Sequence, residues 1–185
     1  MSAGVQYLAL LRGINVGGKS LVKMADLRGA FESMGLAGVT TYIASGNVLF
    51  RAPRQKREEL AARIESELTR TFGMELKVVL LTETQLRTVV GDAPRGFGGE
   101  SHLSDVLFVR RPLTVKRAFA AIETRDGVDR AWPGKGVLYF SRLAEQRTRS
   151  RLGKVASRPE YKDLTIRSWS TTTKLLALLE SRSSA

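Results

Sequence analysis

Twice along the chain, apolar extended runs alternate with helical periodicities in the order β-α-β-β-α-β, and few chain folds satisfy that order. In the first pass Val5 to Leu11 is a continuous apolar run suited to a strand buried on both faces. Met24, Leu27, Phe31 and Met34 follow at helical spacing, and Gly35 offers a C-terminal cap. Val39 to Ile43 and Val48 to Phe50 read as two strands joined by the turn residues Ser45-Gly46-Asn47. Leu60, Ala61, Ile64, Leu68 and Phe72 share one helical face from Arg57 to Phe72, Gly73 ends that helix, and Glu75 to Leu81 supplies the fourth strand.

A short helix from Thr84 to Val90 leads into Gly91 to Gly99, the densest Gly/Pro cluster, which we take as the boundary between a first half (1–92) and a second (100–185). The second half repeats the order. Ser104 to Val109, Asp129 to Trp132, Val137 to Ser141 and Leu164 to Arg167 read as strands, Val115 to Ile122 as a helix and Arg147 to Val155 as a basic helix. A final helix spans Ser170 to Leu179. The expectation is an α+β protein of two ferredoxin-like (βαββαβ) halves packed together, plus a C-terminal helix.

Charge narrows the choice of partners. Thirty Lys and Arg face eighteen Asp and Glu, a net charge of +12, of which the first 92 residues carry only +3. Such a balance favours polyanions through counterion release, or serves solubility alone. The absence of cysteine excludes disulfides, thiol nucleophiles and thiolate-held zinc. No apolar run approaches the roughly 18 to 20 residues of a membrane helix, and the N-terminus lacks a charged leader, so we expect a cytoplasmic protein without membrane association.

Three motifs carry possible chemistry. Gly13 to Ser20 satisfies G-x-x-x-x-G-K-[ST], the phosphate-cradling pattern, after an apolar strand. Two requirements of a nucleotide P-loop are missing: the periodic helix begins only after Lys23, and no apolar strand ends in the Asp that holds magnesium. Lys135 to Phe140 partly resembles an RNA-stacking strand, but Val137 and Leu138 stand where an aromatic and a small residue belong, leaving only Tyr139 to stack. Arg167 to Lys174 places an Arg and a Trp beside a Ser/Thr cluster that opens a helix, which reads first as an N-cap and second as an anion site. His102, the only histidine, is expected in a loop with no triad or metal set around it. The acidic residues form neither an evident acid/base pair nor a hard-metal cage, so no metal site and no catalytic residue is assigned.

The run Tyr7 to Lys19, then Val22 to Leu27 and Thr41 to Val48, closely resembles the signature of the bacterial domain-of-unknown-function family 1697. Lys154 and the stretch from Thr165 to Leu175 resemble the family's second signature. The resemblance covers nearly the whole chain and implies two ferredoxin-like parts, but no activity or cofactor. It departs at Ser168, where the family carries Asn, so an amide donor is missing. It also weakens the nucleotide reading, since relatives often have Asn at the Ser20 position.

The two signatures supply the candidate ligand-binding residues: Arg12, Asn15, Gly17, Gly18, Lys19, Lys23, Ser45 and Asn47 from the first, Lys154, Arg167, Trp169 and Thr171 from the second. We expect them to converge on a cleft between the halves that takes a phosphate-bearing small molecule or nucleic acid, because guanidinium, ammonium, amide and glycine N–H groups are donors. A nucleotide- or phosphate-utilising enzyme and a protein-interaction module without a small ligand are the alternatives.

Overall fold

In a computed structural model the described residues are 4–15 and 21–183. They form two compact units, one of Met1–Leu86 with Ala177–Ala185, the other of Arg87–Leu176.

The first unit contains β1 (Val5–Arg12), α1 (Met24–Ser33), β2 (Ala37–Tyr42), β3 (Asn47–Ala52), α2 (Arg57–Phe72), β4 (Lys77–Thr82) and the start of α3 (Glu83–Gly91). Its sheet has the order β2-β3-β1-β4, and every adjacent pair is antiparallel. The apolar run of β1 is continuous because the strand is central and buried along nearly its whole length. Tyr7, Ala9 and Leu11 alternate onto one face with Val48, Phe50, Val78 and Leu80, and the helical stripes Leu27-Phe31 and Leu60-Ile64-Leu68 close over them. Gly73, at φ 67°, caps α2 through its N–H to the Thr69 carbonyl at 2.9 Å.

The second unit contains β5 (His102–Val109), α4 (Val115–Ala121), β6 (Asp129–Pro133), β7 (Val137–Leu143) and β8 (Leu164–Ser168), with α5 (Trp169–Ser183) following. His102 thus opens a strand and does not lie in a loop. The sheet order β6-β7-β5-β8 repeats that of the first unit. Leu107, Leu138, Phe140 and Leu164 form its core with Ala118 of α4 and Val155.

The basic helix expected from Arg147 to Val155 is absent. The segment runs instead through three short 3-10 turns at Ala144–Arg149, Leu152–Ser157 and Pro159–Asp163. Ser150, Gly153 and Pro159 interrupt any helix, and the segment is held from outside: Asp129 Oδ2 accepts from the Arg151 N–H at 2.9 Å and from the Arg125 N–H at 3.0 Å.

The last turn of α5 is fastened within the first unit. Arg182 donates from Nε to Gln6 Oε1 at 3.2 Å, and its other nitrogens reach Thr40 Oγ1 and the Gly38 carbonyl; Arg51 in turn donates to the Arg182 carbonyl.

Candidate functional site

At the loop end of the first sheet, β1 leaves through Gly13, at φ 78°, and Asn15, at φ 55°. Asn15 tolerates the left-handed region because its short amide bonds locally. Its Nδ2 donates to the carbonyls of Val22, 3.0 Å, and Ala44, 2.8 Å, while its Oδ1 accepts from the Val22 N–H at 2.8 Å. One side chain therefore ties the start of the glycine loop to its end and to the β2–β3 turn.

That turn is equally specific. Gly46, at φ 78°, would place a Cβ 2.7 Å from Ile14 Cδ1 and 2.9 Å from Leu11 Cβ, so only glycine permits this contact. Asn47 is fully buried, and its Nδ2 donates to the Tyr42 carbonyl and to Ser45 Oγ, each at 2.9 Å. Ile43, half exposed, has φ 49°, a strained conformation for a β-branched residue.

The structure thus brings Asn15, Ser45 and Asn47 together, with the amides of Asn15 and Asn47 engaged by backbone and neighbouring side chains. Arg12 ends β1 directly opposite Lys77 of β4. Lys23 is exposed at the start of α1, where its carbonyl accepts from the Leu27 N–H at 3.0 Å. Gly17, Gly18 and Lys19 lie outside the described residues. Among the described residues the helix after the loop begins at Met24, after three non-helical residues, and the sheet is antiparallel where a nucleotide P-loop has a parallel one.

In the second unit the four candidates have distinct surroundings. Lys154 shares Glu123 with two arginines: Arg151 Nη1 meets Glu123 Oε2 at 2.8 Å, Lys154 Nζ meets the same oxygen at 3.4 Å, and Arg158 binds Oε1. These bonds, that of Arg151 first, hold the Glu123 carboxyl down at about 2. Arg167 is buried in β8 opposite Val106, donates to the Ile166 carbonyl at 2.9 Å, and is lowered to about 10 by desolvation. Trp169 meets Phe97 edge to face at 5.1 Å, over Gly98, where a Cβ would lie 2.1 Å from the indole. Thr171 belongs to the cap of α5: its N–H donates to Ser168 Oγ at 3.2 Å, and that hydroxyl donates to Thr171 Oγ1 at 2.9 Å. The Ser that departs from the family pattern is thereby a helix cap.

Tyr139 does not form a stacking platform. It is buried, with its hydroxyl donating to the Val89 carbonyl at 2.7 Å, and burial first, then Asp92, pushes its phenol up to about 12.

Sequence reasoning missed Ile43, Glu123 and Phe97. Nothing at Ile43 signals a left-handed backbone; Glu123 lies 31 residues from Lys154; Phe97 was visible only as the lone aromatic inside the glycine-rich segment. Among the described residues no three His, Cys, Asp or Glu side chains converge as a metal site, and no helix is long and apolar enough to cross a membrane.

The family model described as Protein of unknown function (DUF1697) matches residues 5–139. The chain belongs to this family. Among solved structures it is similar to the conserved bacterial protein SP0830 from Streptococcus pneumoniae, with 27% sequence identity and a TM-score of 0.85 over 96% of this chain and 99% of that one. The curated proteins give no match. The DUF1697 match takes in the whole Asn15-centred loop pair and ends before Lys154, so the first signature is the part of the candidate site that membership covers.

Proposed function

We propose that the loop end of the first unit binds a phosphate-bearing ligand, a small molecule or the backbone of a nucleic acid. The observation that carries this reading is the pair of loops that the Asn15 amide joins, with the cationic residues Arg12 and Lys77 opposite each other where β1 leaves for the first of them. Two cations on neighbouring strands can share one anion through charge-assisted hydrogen bonds. Strain points to the same place: Asn15 and Ile43, the non-glycine residues with left-handed backbone among those described, lie in the two loops that the Asn15 amide joins. Lys19 and Lys23 add cations to the same loop in sequence.

The test is fluorescence anisotropy of labelled single-stranded RNA and duplex DNA at low and near-physiological salt, with inorganic phosphate and Mg-ATP as competitors. We expect binding that survives the higher salt and weakens about tenfold in Arg12→Ala, the loss of one charge-assisted contact. Binding that disappears with salt and ignores the substitution reduces the +12 charge to a nonspecific attractor and removes the reading.

A further inference from the structure

At the opposite end of β1 lies a cleft of about 460 Å³, lined by Val5, Tyr7, Arg54, Arg57, Thr82 and Gln85 together with Gln55 and Thr84. Val5 and Arg12 are seven residues apart in one strand, about 23 Å at roughly 3.3 Å per residue, so this cleft is separate from the loop pair.

The polar groups here are arranged unlike an ordinary surface. Gln85 Oε1 is saturated, accepting from Arg57 Nη1 at 2.9 Å and from the Thr82 N–H at 2.9 Å, while its Nε2 amide is a donor with no partner among the described residues. Arg57 is held by that bond and by a second, to the Leu80 carbonyl at 3.3 Å, so its guanidinium is oriented before any ligand arrives. Arg54 is exposed beside it and makes no ion pair or hydrogen bond among the described residues. Gln55 and Arg57 flank Lys56, the N-cap of α2, which supplies no side-chain acceptor.

Tyr7 is the decisive group. It is 2% exposed, with its ring stacked on Phe50 at 5.6 Å in the core, yet it lines the cleft and its hydroxyl has no hydrogen-bond partner among the described residues. A phenol so buried is normally satisfied, and one left open toward a cavity is available to a ligand.

We infer that this cleft binds the phosphate group of a small phosphate monoester, with Arg54 and Arg57 as its charge partners and the Tyr7 hydroxyl and Gln85 amide as donors. Two guanidiniums match a phosphate dianion, whereas a single carboxylate would leave one of them uncompensated. Every group involved belongs to the first unit, and the inference does not rest on the loop-end site.

Titration of the uniformly 15N-labelled full chain with inorganic phosphate, followed by amide chemical shifts, tests it. The amides of Gln55, Thr82, Thr84 and Gln85 should shift and saturate, while sodium acetate at equal ionic strength leaves them in place. Arg54→Ala should weaken phosphate binding about tenfold and Tyr7→Phe, which keeps the ring and its packing, about threefold. Arg12→Ala should leave both unchanged, which separates failure here from failure at the loop end. Equal shifts with acetate overturn the assignment to phosphate. Unmoved amides, or unaltered affinity in both Arg54→Ala and Tyr7→Phe, overturn the site.

Discussion

The Asn15 carboxamide pairs with the backbone of Val22 in both directions, donating to its carbonyl at 3.0 Å and accepting from its N–H at 2.8 Å. A side chain thereby does what a neighbouring strand would do, and a third bond to the Ala44 carbonyl anchors the pair to the β2–β3 turn. Asn15→Asp keeps the size and the acceptor but turns both donors into a carboxylate facing two carbonyl oxygens. We expect about 2 kcal/mol lost in urea unfolding, and faster amide exchange at Val22. An unchanged midpoint with the Val22 N–H still protected would show that the loop closes without this amide.

Ile43 is held at φ 49° and half exposed. Relief of that strain costs little burial, so Ile43→Asn, a residue at ease in the left-handed region, should stabilise the protein by about 1 kcal/mol, or roughly 2–4 °C in Tm. A fall in Tm would mean that the isoleucine side chain contributes more than its backbone costs.

The three cations on Glu123 give an acid-dependent contribution of known sign. Its carboxyl is held at about 2 in the folded protein against an ordinary 4.5, so the folded state binds fewer protons between those values. The stabilisation is present above pH 4.5 and fades as pH falls toward 2. Thermal unfolding of wild type and Glu123→Gln should differ at pH 6 and converge near pH 2; parallel curves across that window would remove Glu123 as the titrating group.

Much of the architecture is legible in the residues. The strands announce themselves because central strands are apolar on both faces, as in Tyr7 to Leu11, and the helical stripe from Leu60 to Phe72 has no competing reading. The segment after β7 misleads because its conformation is decided elsewhere. Asp129 captures the Arg151 backbone and Glu123 captures three side chains, and neither partner is near in sequence. The candidate site divides in the same way. Residue types at Asn15 and Asn47 suggest ligand donors, but the carbonyls of Val22, Ala44 and Tyr42, brought in by the fold, take up those amides. The cleft beside Tyr7 had no sequence signal, since a tyrosine in an apolar strand reads as core and only the fold leaves its hydroxyl open.

The hold of Arg182 on Gln6, Thr40 and Gly38 also bears on biogenesis. A ribosome makes the first sheet early, yet the residue that grips its β1 and β2 is translated 142 to 176 residues after the groups it holds. That sheet is therefore fastened only after the intervening unit, Arg87–Leu176, has been made, and a nascent chain arrested before residue 177 would carry it without its fastening.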